Sequence, residues 1–390
     1  MTEAGSPEKK RSLILAGGGL KVAFQAGVLQ VWLDEAGLTF DHADGASGGT
    51  FNLAMYCQGM TGTRIADNWR NLPVSLFEDF NWEQYAKLFY AESILTFERF
   101  YQQVFPAWGL DWNLIRSSKY AATFNVYNFS KQTLEVLPPD SMTADYLGAC
   151  VALPMWFPPV VINDNTYIDA VYITDANIEE AIQRGADELW VIWTVSQRNV
   201  WHAGFVANYF QIIEATANGH LNRITQRIKT NNAALAAGQT GEFGRHIEIK
   251  MLTAEVPLHY LINFSTDRIK ESVNLGVQAA RKWCVEQGIP LPKSTENPVT
   301  DPTTLSFTEE MKGYITFGET DYDRGFRRGS ATGTFLMVHL TINIAGVEHF
   351  VTDPAHGAAV EGYVGCDALG GNLPVEQGSF HLFIDEGDPT

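Results

Sequence analysis

The chain is 390 residues long, enough to bury a large core and to hold two domains. Its formal net charge of −18 argues against nucleic acid as a partner and against simple electrostatic docking on anionic lipid. Cys57, Cys150, Cys284 and Cys366 are far apart and no C-x-x-C or H-E-x-x-H occurs, so a metal site is not expected and a reduced, cytoplasmic setting is.

Residues 1–11 are polar and expected to be disordered. The apolar run at 13–16 stops at three glycines, too short for a signal sequence, and no stretch approaches about 18 uninterrupted apolar residues, so no bilayer-spanning helix is expected. Residues 12–16 read as a buried strand, Gly17-Gly18-Gly19 as the turn after it, and residues 22–35 as a helix with Gly37 as its C-cap. A second strand at 38–43 leads into Gly45-Ala46-Ser47-Gly48-Gly49 and then a helix from Thr50. This alternation predicts an α/β sheet flanked by helices.

Residues 76–112 are crowded with aromatic side chains and read as a helical insertion. Most of these rings are expected to form its core, with some free to line an acyl-chain channel or lid. Strands are expected near 123–127 and 133–137, a βα unit over 166–184, a strand at 189–195, a helix over 206–237, a strand near 247–252 and a last helix over 266–287. Pro290, Pro292, Pro298 and Pro302 mark a linker at 289–304. Beyond it, alternation at 336–344 and again near 379–384 predicts a small β domain over 305–390. Residues 301–390 hold 14 acidic and 4 basic side chains, so the tail is the more acidic part of the chain.

Strand, tight turn and helix are the context in which G-x-S-x-G forms a nucleophile elbow. Small neighbours let the chain turn sharply, and the helix N-terminus favours a developing negative charge at Ser47. Serine needs a base and N–H donors aimed at the oxyanion. The amides of Gly17, Gly18 and Gly19 are candidates for the second role. Lys21, at the start of the next helix, would steady this loop or attract an anionic head group. A dinucleotide fingerprint would need glycine at position 22, which is Val22, and a P-loop would need Gly-Lys, which the chain lacks. The base is open from these patterns alone. His202, His220, His246 and His259 stand in no recognisable loop context, and strand alternation turns His42 away from Ser47.

A further set completes the pattern: Ala152-Leu153-Pro154-Met155-Trp156-Phe157-Pro158-Pro159, then Asp169-Ala170, then Gly185-Ala186-Asp187-Glu188. With Gly17-Gly18-Gly19-Leu20-Lys21 and Gly45-Ala46-Ser47-Gly48-Gly49, this order resembles the patatin-like phospholipases over about residues 12–287, within an expected domain at 12–288. The resemblance implies a three-layer α/β fold with a central mostly parallel sheet. It also implies a serine lipid acyl hydrolase of phospholipase A or esterase type, working through an acyl-enzyme without cofactor or metal. Ser47 matches the nucleophile, Asp169 the partner aspartate of a Ser–Asp dyad, and Gly17–Gly19 the oxyanion loop; Lys21, Gly45 and Gly49 are supporting residues.

Lys21 and Val22 stand where the family has arginine and glycine, and Ala170 replaces the glycine after the aspartate. Asp175 is a reserve acid, otherwise read as a helix cap. An acyltransferase using the same acyl-enzyme, or a patatin-shaped lipid-binding or scaffold protein, are the alternatives. The expected partner is a lipid or acyl-ester substrate, with peripheral membrane contact allowed and oligomeric state open. The tail stretch from Phe307 to Tyr314 is similar to a β accessory segment of large flavin-dependent alcohol oxidases, but the chain lacks a flavin fingerprint and no function is carried over. The tail is expected to supply no catalytic group.

Overall fold

Residues Arg11–Leu15 form strand β1, and four of the five are buried. Leu13 and Leu15 enter one apolar cluster, while Ile14 and Ala16 enter another on the opposite face. A strand dry on both faces belongs at the centre of a layered α/β sheet. The computed structural model describes residues 9–72, 80, 81, 87, 90–197, 200–256, 258–261, 265–293, 305–344, 347, 357–375 and 378–381. The chain divides into two compact units, Met1–Thr295 and Glu296–Thr390.

The sheet of the first unit has eight strands among the described residues. After β1 come β2 (His42–Gly45), β3 (Ala122–Asn128), β4 (Thr133–Leu137), β5 (Val160–Ile162), β6 (Asn165–Asp169), β7 (Glu188–Trp193) and β8 (Glu248–Thr253). Their order is β5-β6-β3-β2-β1-β7-β8, with β4 on β3. The run from β3 through β8 is parallel. Strands β4, β5 and β6 add antiparallel pairs at one side.

Helices α1 (Val22–Leu29), α2 (Gly49–Cys57) and α3 (Gly62–Arg70) follow β1 and β2, and α4 (Ala144–Cys150) precedes β5. Helix α5 (Ile178–Gln183) precedes β7, the long α6 (Phe205–Ala236) precedes β8, and α7 (Thr266–Glu286) follows it. Apolar residues of α1, α2, α3 and α7 pack on one sheet face, and Ile178, Ile182, Leu221 and Ile224 from α5 and α6 pack on the other. The result is the three-layer arrangement expected, with the C-terminal ends of β1 and β2 opening side by side.

Several boundaries differ from expectation. The strand before Ser47 is His42–Gly45 rather than residues 38–43, because β1 pairs only with residues 42–45. Helix α1 passes into a π-helical turn at Gln30–Glu35 before Gly37 (φ 67°). Within 76–112 the described helical pieces are short, at Phe100–Val104 and Phe105–Ala107; much of the earlier part lies outside the described residues. Phe97, Phe100, Phe105 and Trp108 are buried among Phe51 and Phe157, so these rings are core, as expected for most of them. The start of the expected linker belongs to the first unit: Ile289 and Leu291 pack on its core and Lys293 N–H donates to Glu35 carbonyl (3.1 Å). Residues 294–304 and the polar start at 1–8 lie outside the described residues.

The second unit is an antiparallel sheet of β9 (Leu305–Tyr314), β10 (Phe335–Ile344), β11 (Gly357–Cys366), β12 (Gly371–Pro374) and β13 (Gly378–His381). The expected alternation at 336–344 is β10, paired on both sides. One helix was not anticipated, α8 (Tyr322–Thr332), capped by the Asp321 side chain accepting from Arg324 N–H (2.8 Å). Its glycines and arginines hide the helical period, and Gly329 is needed because a Cβ there would sit 2.3 Å from Ile315 carbonyl oxygen.

Candidate active site

The turn after β2 lifts Ser47 out of the sheet. Its φ is 47°, the left-handed region that a serine enters only under constraint. The constraint is visible in the flanking bonds. Ala46 N–H donates to Leu15 carbonyl (3.2 Å), Gly49 N–H to Ala46 carbonyl (2.9 Å), and the Thr50 hydroxyl to Ser47 carbonyl (2.6 Å). Gly49 lets α2 lie against β1: a Cβ at that position would fall 2.2 Å from Leu15 oxygen and 2.7 Å from Ala16 oxygen. This is the strained strand-to-helix elbow expected from G-x-S-x-G.

Asp169 arrives from the other side, as the last residue of β6, with its N–H held by Ala152 carbonyl (3.0 Å). Ser47 Oγ donates to Asp169 Oδ2 at 2.6 Å, and Val171 N–H donates to Oδ1 at 2.9 Å. Asp169 is 1 % exposed. Burial pushes its carboxyl up to about 7, against the opposing pull of the two hydrogen bonds. The structure thus brings together the two side chains that the sequence separates by 122 positions. Ala170, in place of glycine, is fully buried and its main chain enters a 3-10 turn without displacing Asp169 from Ser47.

The glycine loop differs in detail from its expected role. Gly17 N–H donates to the Asp175 main-chain carbonyl (2.9 Å), so it is turned away from the cavity. Gly18 and Gly19 line the cavity, and so does Gly48, whose position after Ser47 in an elbow was the signal available for it. Gly19 has φ 56°, and a Cβ there would lie 2.4 Å from Tyr260 oxygen; that same oxygen accepts Leu20 N–H (2.8 Å). Lys21 does not reach toward a head group. It is 1 % exposed, with Nζ 2.5 Å from Ser196 Oγ and 4.4 Å from the centre of the Tyr260 ring, so it braces the loop from behind.

Histidines take no part in the lining of this cavity among the described residues. His42 is enclosed between the Ser12 hydroxyl (2.8 Å) and the Thr123 hydroxyl (3.0 Å), and burial lowers it to about 4. His259 packs edge-on against Phe210. Asp175 is no helix cap, since the Asn177 side chain accepts Glu180 N–H at 3.2 Å instead. Asp175 lines the cavity beside Asp169. The cavity holds about 770 Å³ of empty space, part of it open to solvent. Apart from Ser47, the two aspartates and Tyr260, its side-chain lining is apolar, with Phe51, Leu95, Phe100, Leu153, Phe157 and Phe210 among it. Phe51 and Phe100 come from α2 and the aromatic insertion, Phe157 from the proline-flanked stretch, and Phe210 from α6, a contribution that no sequence signal announced.

Residues 13–182 match the family model described as Patatin-like phospholipase. No curated protein matches the chain. Among solved structures, VipD from Legionella pneumophila aligns at 15% identity and a TM-score of 0.38, over 73% of this chain and 69% of VipD. No helix among the described residues is long and apolar enough to cross a membrane. The elbow serine, the facing aspartate and the glycine loop all fall within the matched stretch: residues 13–182 are similar to the patatin-like phospholipase family.

Proposed function

We propose that the chain is a serine lipid acyl hydrolase of the phospholipase A or esterase type. The observation that carries this reading is the 2.6 Å hydrogen bond from Ser47 Oγ to Asp169 Oδ2 at the polar end of an apolar cavity. An ionised Asp169 takes the Ser47 proton as Oγ bonds to the ester carbonyl carbon. The Gly18, Gly19 and Gly48 amides are the donors nearest the developing oxyanion. As the tetrahedral intermediate collapses, Asp169 returns the proton to the departing alcohol, leaving an acyl-enzyme. Water then repeats the cycle and frees the acid.

The wall chemistry supports an acyl chain as the buried half of the substrate, since methylenes gain more from Phe and Leu walls than a polar head group does. Trp201, four residues before α6, and Phe205, its first residue, stand 63% and 75% exposed; the same helix supplies Phe210. Rings exposed beside the cavity helix support peripheral contact with a lipid surface. The test is covalent labelling by a fluorophosphonate together with turnover of short-chain esters and phospholipid vesicles. Labelling and turnover in the wild type, both lost in Ser47→Ala with the fold intact, are the expected results. Turnover that persists in Ser47→Ala removes this serine from the reaction.

A further inference from the structure

The cavity contains a second acid that the dyad does not use. Asp175 is 1 % exposed, and neither carboxyl oxygen has a hydrogen-bond partner among the described residues. A buried carboxyl without partners is costly, and the structure does not place it there by looseness. Its main-chain carbonyl is clipped to Gly17 N–H (2.9 Å). Two residues on, Asn177 N–H donates to Asp44 Oδ1 (3.3 Å) and Asn177 Nδ2 to Asn125 Oδ1 (2.8 Å). The loop that carries Asp175 is therefore pinned to β1, β2 and β3.

The direction of the side chain follows from Gly17. A Cβ built on Gly17 would lie 1.9 Å from Asp175 Oδ1 and 3.0 Å from Ser47 Cβ. The carboxyl thus occupies the space that a side chain at Gly17 would need, on the side of the glycine loop that faces Ser47. It lies beside both the nucleophile and the loop, in the region that the proposed reaction gives to the ester carbonyl oxygen. As an anion there it would oppose the oxyanion. As the neutral acid it offers an O–H to it.

Resting on the hydrolase reading above, we propose that Asp175 works as the neutral acid and donates a hydrogen bond to the substrate carbonyl oxygen as Ser47 attacks, beside the loop amides. The proton stays on Asp175 throughout; only the hydrogen bond tightens as negative charge builds. The surroundings agree. Burial first, and then the charge of Asp169, push Asp175 up to about 8. The Gly17 N–H opposes this slightly, although it is directed at the main-chain carbonyl rather than the carboxyl. Among the titratable groups around it, Asp169 and Tyr260 share the cavity wall. Asp44 lies behind the loop on Asn177, and the Lys21 ammonium is turned to Ser196 and the Tyr260 ring. Asp169 ionises first and so helps to keep Asp175 protonated.

The experiment measures kcat and kcat/KM for a small soluble ester across pH 5–10 with the full chain and its Asp175→Asn, Asp175→Ala and Ser47→Ala variants. Asp175→Ala should lower kcat by about 10²–10³, the usual loss for one oxyanion donor, with much less change in KM. Asp175→Asn keeps an uncharged donor and should recover about tenfold or more of that loss. Its kcat/KM should no longer fall above about pH 8, as that of the wild type does. Wild-type kcat in Asp175→Ala, or an unchanged alkaline fall in Asp175→Asn, would overturn the proposal while leaving the dyad in place. Should the alanine variant not fold, the alkaline limb of the asparagine variant decides alone. Ser47→Ala as active as the wild type would instead sink the hydrolase reading, and this role with it.

Discussion

Acidification from pH 8 to pH 5 should switch off hydrolysis by protonating Asp169. The proposed dyad needs this carboxyl as an anion, both to accept the Ser47 hydrogen bond and to take its proton. In the fold the group is fully enclosed, and the two hydrogen bonds it accepts offset burial only in part, leaving it near 7. Below that value each pH unit removes about nine-tenths of the remaining anion. The expected kcat/KM is then about a tenth of its plateau at pH 6 and about a hundredth at pH 5. An ordinary aspartate would leave the rate flat over the same range. The assay is release of a chromogenic alcohol from a short-chain ester at limiting substrate. Tryptophan fluorescence at each pH confirms that the fold persists. A rate constant level from pH 7 to pH 5 would refute the argument, because it would mean that Asp169 is solvated or that another group is the base.

Asp175→Asn should be more stable than the wild type, with a difference that grows by about 1.4 kcal/mol per unit between pH 5 and pH 8. The sign follows from a folded-state value near 8, above that of the unfolded chain: the native state holds the extra proton, and stability from this group is complete in acid and lost as pH rises. Denaturant melts at each pH test it, and a constant difference would contradict it. His42 acts in the opposite sense; lowered to about 4, it contributes stability above about pH 6.5 that is lost on acidification. Gly49→Ala should cost about 3 kcal/mol or more, because the new methyl meets the immovable oxygens of Leu15 and Ala16. Gly219→Ala, on the exposed face of α6 with nothing within 4 Å, should instead stabilise by about 0.5–1 kcal/mol; thermal melts of the pair settle both. Phe100→Ala should move the preferred acyl length upward in a chain-length series of esters, and an unaltered profile would remove that ring from chain selection.

The parts of the site written as local patterns were legible in the sequence. Gly45 to Gly49 announced the elbow, while Asp169 was reached only through the resemblance to the patatin-like phospholipases. What stayed hidden depends on contacts far apart in the chain. Asp175 was read as a cap because aspartate before a helix usually is one, and only the position of Asn177 shows which residue caps. For Lys21 the sequence left two roles open, steadying the loop or attracting an anionic head group; its burial, which excludes the second, depends on Ser196 and Tyr260, about 175 and 240 residues further on. The antiparallel pairing of β6 with β3, which aims Asp169 at Ser47, is a matter of register that no local propensity encodes. Helix α8 was missed because its few apolar residues, Tyr322 and Phe326 among them, are outnumbered by glycines and arginines.

The pairing of β1 with β7 has a consequence for how the protein is made. Arg11 lies opposite Glu188 and Leu15 opposite Ile192, so the strand that leads into the glycine loop waits for a partner 177 residues downstream. At roughly 5–20 residues per second, synthesis separates the two strands by about ten to thirty seconds. Through that interval β1 and β2 can pair, yet one edge of β1 stays open and the loop lacks both Thr194, which binds Gly17 carbonyl (3.0 Å), and Tyr260, which binds Leu20 N–H. A nascent chain should therefore display its elbow serine well before the glycine loop beside it is held in place. The loop is complete only once Tyr260 has been made, and until β7 arrives the open β1 edge is the point at which a stalled chain would be most prone to aggregate or to need a chaperone.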